Sequence, residues 1–197
     1  HLAPISPRPR PDLNLAPISP RSRPDVAQVD NLSPLAHNEL MCTHWLWEKA
    51  AAEQVLIFQT DSLICRPGID TFLTWDYIGA PWRTDDLWCA GKPWLTSVGG
   101  NGGFSLRSRQ KSLECISATG YVRGQCEDVY YAETMPKVSG RIADRTAGLA
   151  FAVESVYAEG SFGFHAAYKW ITAEQMASIL EGIASVYKEM AAEGTAA

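Results

Sequence analysis

Four short groups of residues in this chain have the types and spacing for chemistry. Gln59-Thr60-Asp61 closes the apolar run Val55-Leu56-Ile57-Phe58 and sets Gln59 and Asp61 on the same side of an extended end. A carboxylate there suits Mn²⁺ or Mg²⁺, hard cations that take oxygen ligands and commonly bridge a diphosphate, with the neutral Gln59 contributing less. Taken alone, Asp61 reads as the cap of the next turn. The second group is Gly99-Gly100-Asn101-Gly102-Gly103, where missing Cβ atoms let backbone approach a ligand; Asn101-Gly102 between extended segments is equally a hairpin signal. The third is Glu127-Asp128 at a helix start, where a carboxylate can take a proton from a hydroxyl, or simply complement the helix dipole. The fourth is His165 in Gly163-Phe164-His165, a metal ligand through neutral imidazole or, more commonly for a lone histidine, a packed ring.

The elements that must position these groups read as α/β. Ser33-Pro34 is an N-cap followed by proline at the first helical turn, predicting a helix through about Glu53. Val55–Phe58 is a short apolar strand, and Trp75–Trp82 a strand stopped by Pro81. In Phe104-Ser105-Leu106-Arg107 the apolar residues alternate with polar ones as on a strand, Ser108 can cap a helix ending near Gly120, and a further helix starts around Glu127. Thr172-x-x-Gln175 is a capping box, and Met176, Ile179, Leu180, Ile183, Tyr187 and Met190 recur at helical spacing, so the last helix is expected to pack on the sheet.

Upstream, residues 2–12 (LAPISPRPRPD) recur at 15–25 (LAPISPRSRPD), and eight of the twelve prolines lie at or before Pro34. Proline removes a backbone donor and fixes φ, so residues 1–33 are expected to be extended and disordered. An SH3-like groove, or kinases acting at Ser6 and Ser19 before proline, are further uses of such a segment. The folded domain is placed at 34–192, with a flexible tail at 193–197.

The net charge of −5 combines +2 in the first 25 residues with −7 in the remainder. An acidic body argues against nucleic acid and requires a bridging cation for any phosphate ligand. Five cysteines, none in a C-x-x-C pair, are expected to be free thiols. No apolar stretch approaches the roughly 20 residues that span a bilayer, so the chain as given reads as soluble. It begins at His1 rather than Met, and an upstream signal or anchor would lie outside it.

In order, the four groups resemble the GT-A glycosyltransferase pattern of metal motif, glycine-rich loop, acidic motif and late histidine. Gln59-Thr60-Asp61 matches the D-x-D motif with Gln for its first Asp. More closely, FQTDS (Phe58 to Ser62), DYIGAPW (Asp76 to Trp82), GNGGFSLR (Gly100 to Arg107), ED and GFH resemble a largely uncharacterised domain family described as glycosyltransferase-like, over roughly residues 38 to 170. The resemblance implies a partial GT-A-like, Rossmann-like mixed sheet flanked by helices. It also implies a cation held by Asp61, His165 and Gln59, a nucleotide-sugar donor against Gly100, Asn101, Gly102 and Gly103, and Asp128 as base for a glycan or other hydroxyl acceptor, with Glu127 supporting. Trp82 and Trp94 are the expected stacking faces for sugar. The repeat stands where such enzymes carry the βαβ region that holds the nucleotide, so a carbohydrate-binding or regulatory remnant is the alternative. Metal-dependent phosphoester hydrolysis ranks last, since the dense Asp/His clusters of two-metal sites are missing.

Overall fold

A computed structural model describes residues 32–85 and 89–194. The Pro/Arg repeat and the last three residues lie outside the described residues, as does nearly all of the segment expected to be disordered.

The expected first helix is two. Helix α1 (Pro34–Met41) is capped by Ser33, whose Oγ accepts from Ala36 N–H at 3.2 Å. Helix α2 (His44–Lys49) starts afresh at Thr43. The Thr43 hydroxyl donates to Leu40 O (2.8 Å) and accepts from Leu46 N–H (3.4 Å), closing one helix and opening the other. Glu53 lies beyond both and accepts from Ser108 Oγ at 2.6 Å and Gln110 N–H at 3.2 Å.

The expected strands form one antiparallel sheet. β1 (Gln54–Phe58) and β3 (Tyr77–Gly79) flank β4 (Phe104–Ser108), with Leu56 and Ile78 both opposite Leu106. Every residue of β4 is buried. Its alternation sends Phe104 and Leu106 into an aromatic cluster with Phe72, Phe151 and Phe162, while Tyr77, Val55 and Ile57 face Trp47, Tyr130 and Tyr131 on the other side. On that second side lie α3 (Arg109–Ala118), capped by Ser108, and α4 (Glu127–Thr134).

Three short strands form a second sheet: β2 (Ser62–Ile64) and β5 (Ala152–Val153) flank β6 (Gly163–His165), antiparallel and parallel respectively. The chain enters β5 from α5 (Arg145–Phe151), capped by Asp144. The fold is thus α/β, one antiparallel and one mixed sheet among helices. The predicted capping box starts α6 (Ala173–Gly194): Gln175 N–H donates to Thr172 Oγ1 (3.2 Å) and Thr172 N–H to Gln175 Oε1 (3.0 Å). Met176, Ile179 and Ile183 pack on Val153, Phe164 and Ala167, while Leu180, Tyr187 and Met190 stay about half exposed, so only part of the expected apolar face meets the sheet. The five cysteines are free. No helix of the described residues is long and apolar enough to cross a membrane.

Candidate functional site

The register of the two sheets brings the four groups together. Phe58 pairs with Phe104, so Gln59 continues alongside the glycine run, its N–H donating to Gly103 O at 3.0 Å. Ser62 pairs with His165, and Ala166 N–H donates to Asp61 O at 3.0 Å. The parallel β5–β6 pairing, Val153 with Phe164, carries Glu154 to the flank of His165.

His165, nine-tenths buried, therefore lies between acceptors on both sides. Its Nε2 is 3.3 Å from Asp61 Oδ1 and 3.1 Å from Gln59 Oε1, and its Nδ1 is 3.2 Å from Glu154 Oε2. Neither Nδ1 nor Glu154 Oε2 completes a hydrogen bond; they face each other out of line. Nε2 faces two oxygen acceptors, and Nδ1 lies beside the Glu154 carboxylate, the position from which a carboxylate orients an imidazole ring. Asp61 Oδ2 also receives Lys169 Nζ at 3.2 Å. Desolvation alone would raise the Asp61 carboxyl, but the Lys169 hydrogen bond and the neighbouring His165 outweigh it and hold the group below its ordinary value.

No three His, Cys, Asp or Glu side chains are grouped as a metal cage among the described residues. Asp61 Oδ1 and the Gln59 side-chain carbonyl both lie within 3.3 Å of His165 Nε2, so the three side chains meet at one edge.

The glycine run is a seam of close approach. A Cβ on Gly103 would fall 2.1–2.6 Å from the His165 ring, and one on Gly102 would fall 2.1 Å from Glu127 Oε1. The amides at Asn101, Gly102 and Gly103 donate to Ala80 O, Asp128 Oδ2 and Asn101 Oδ1, so they hold the loop itself rather than standing open as a phosphate cradle. Gly103→Ala is expected to cost about 1–3 kcal/mol by overpacking against His165, a fall of several degrees in Tm. Gly120→Ala, where the new methyl meets open space, should leave Tm within a degree or two; equal shifts in the two melts would remove the steric argument.

The acidic pair divides its roles. Glu127 is buried and holds buried Arg107 in a bidentate pair, Nη1–Oε2 2.5 Å and Nη2–Oε1 3.1 Å. Asp128 is half-buried and faces a cleft of about 220 Å³ lined by Trp82, Asn101, Cys126, Val129, Glu154, Ser155 and Trp170. Its Oδ2 accepts from Gly102 N–H (3.3 Å) and its Oδ1 from Val129 N–H (2.7 Å). Desolvation, then repulsion by Glu127, push its carboxyl up to about 7 against the pull of those amides and Arg107. A base poised there is half-ionised at neutral pH.

The cleft and the Asp61–His165 edge share Glu154. Of the expected stacking faces, buried Trp82 lines the cleft; Trp94 does not, and the half-exposed Trp170 takes that place. Glu154, Lys169 and Trp170 were not singled out from sequence. Glu154 owes its position to the pairing of β5 with β6, Lys169 and Trp170 to the turn after β6 at Ala166 (φ 48°), and no periodicity marks strands so short.

A family model described as protein of unknown function DUF5672 matches residues 29–165, a span that includes every candidate residue from Gln59 to His165. No curated protein and no solved structure matches the chain.

Proposed function

We propose that this chain, which belongs to the DUF5672 family of unknown function, transfers a sugar from a nucleotide-sugar donor to an acceptor hydroxyl in the manner of GT-A glycosyltransferases. The observation that carries the reading is the convergence of Asp128, Glu154, His165 and Asp61, from four separate parts of the chain, along one cleft and its edge.

Asp128 takes the proton of the acceptor hydroxyl as that oxygen bonds to the anomeric carbon; the bond from that carbon to the diphosphate breaks, and the diphosphate leaves with its electron pair. Gly102 N–H and Val129 N–H fix the carboxylate for that contact. Asp61 and His165 would hold Mn²⁺ or Mg²⁺, whose chemistry there is to offset the charge of the leaving diphosphate. Glu154 orients the His165 ring, and Lys169, paired with Asp61, places a further positive charge at the same edge.

Calorimetric titration with nucleoside diphosphates, with and without Mn²⁺, tests the reading. Binding is expected to require the cation and to weaken tenfold or more in Asp61→Ala, which removes the only carboxylate of the Gln59-Thr60-Asp61 group. Binding indifferent to Mn²⁺ and to the substitution, in a protein with an unchanged melt, would leave Asp61 as the ion-pair partner of Lys169 and remove the metal from the proposal. Failure of every nucleotide to bind, with glycans still bound, would favour the non-catalytic carbohydrate-binding reading.

A further inference from the structure

The cleft in front of Asp128 has a chemical bias that bears on what it accepts. Two indoles line it, Trp82 inside and Trp170 half exposed. Flat faces of this kind cover the C–H face of a sugar ring. Its polar lining is Asp128, Glu154, Asn101 and Ser155, and no Lys or Arg among the described residues lines it. Three neighbouring cations are engaged elsewhere: Arg107 is buried against Glu127, Lys169 pairs with Asp61, and Arg145 donates to the backbone carbonyls of Trp82 and Thr96.

Glu154 sharpens the bias. It is nine-tenths buried in the cleft wall, with Oε2 turned to His165 Nδ1 at 3.2 Å. A carboxylate buried in a cleft wall penalises a ligand that brings a second anion beside it. Asp128, held by the Gly102 and Val129 amides, adds a second carboxylate to the same lining.

We infer that the cleft between Trp170, Glu154 and Asp128 is the acceptor subsite, and that it takes a neutral or amine-bearing sugar and rejects an acidic one. The inference rests on the transferase reading. It adds the acceptor's charge class, which follows from two carboxylates unopposed by any lining cation. Hydroxyl or ammonium protons meet Asp128 and Glu154, whereas a sugar carboxylate or sulfate would share the cleft of about 220 Å³ with both, where screening is weaker than in bulk water.

Ligand-observed NMR titration of the full chain tests this with three probes: a methyl glucoside, the methyl glycoside of glucosamine, and a methyl glucuronide. The first two are expected to bind at millimolar concentration, and the glucuronide at least tenfold more weakly. Trp170→Ala should abolish binding of the neutral probe, and Asp128→Asn should narrow the gap between glucoside and glucuronide. Equal or tighter binding of the glucuronide overturns the inference. So does failure of all three to bind; if nucleotide still binds with Mn²⁺ through Asp61, the transferase reading survives that result and only the acceptor assignment falls.

Discussion

Glu127→Gln is expected to destabilise the domain by about 3–5 kcal/mol, the typical cost of leaving a buried charge without its partner. Arg107 has no exposed surface and sits between the rings of Tyr77 (4.7 Å) and Tyr131 (5.0 Å), with Nε on Ser105 Oγ at 2.9 Å. Burial by itself opposes the charged guanidinium, but Glu127 and the surrounding tyrosine oxygens more than offset this, so Arg107 stays charged at every accessible pH. With Gln at 127 it can neither lose its proton nor reach water. The double variant Arg107→Met/Glu127→Leu removes both charges and fills the space with apolar volume, so it should recover most of the lost stability. Chemical denaturation of the three proteins gives the comparison. If the single variant loses less than about 1 kcal/mol, the charge finds another partner and the pair is not what joins β4 to the start of α4. The consequence reaches function, because the same guanidinium touches Gly102 O and the same helix start presents Asp128.

Why so much of this was legible in sequence, and the rest not, follows from the length of the elements. In β4 the alternation of Phe104 and Leu106 with polar residues and the Ser108 cap are local signals, and the register with β1 then brings Gln59 beside Gly103. The capping box at Thr172 is equally local. The break at Thr43 is not, since a threonine within helical spacing has two uses, and only the Leu40 and Leu46 contacts decide between them. The second sheet is built of strands of two and three residues, too short to show a period. Its pairing alone puts Glu154 beside His165, which is why the histidine was visible as a candidate and its carboxylate partner was not. Arg107 offers the reverse case. Its place on the polar side of β4 suggests solvent, and it is buried because α4 returns over that face and supplies Glu127 as counter-ion.

Asp128→Asn is expected to lower transfer by about 10²- to 10⁴-fold while donor and acceptor still bind, the range typical of losing a general base. The substitution keeps the shape but leaves one acceptor oxygen where Asp128 has two, so only one of the Gly102 and Val129 amides keeps its bond to the side chain. Two pH readouts separate a base from a structural carboxylate. With its carboxyl pushed up to about 7, the wild-type rate should rise with pH through that region and then level, and the Asn variant should lack the rise. Stability should move the other way. A carboxyl raised in the folded state stabilises the fold only while protonated, so the wild type loses stability as pH climbs from the ordinary carboxylate range through about 7. Asn carries no such burden. The variant is therefore expected to match the wild type near pH 4 and to exceed it by about 1–2 kcal/mol at pH 8, a discounted share of the full shift because Asp128 keeps contact with the cleft. A carboxylate retained only to complement the helix start predicts the reverse, a loss of about 0.3–1 kcal/mol at pH 8 and no change in rate. If turnover falls by no more than a few-fold, Asp128 is not the base. Glu127 could not replace it while bound to Arg107, which would leave Glu154 as the carboxylate of the cleft able to take the proton.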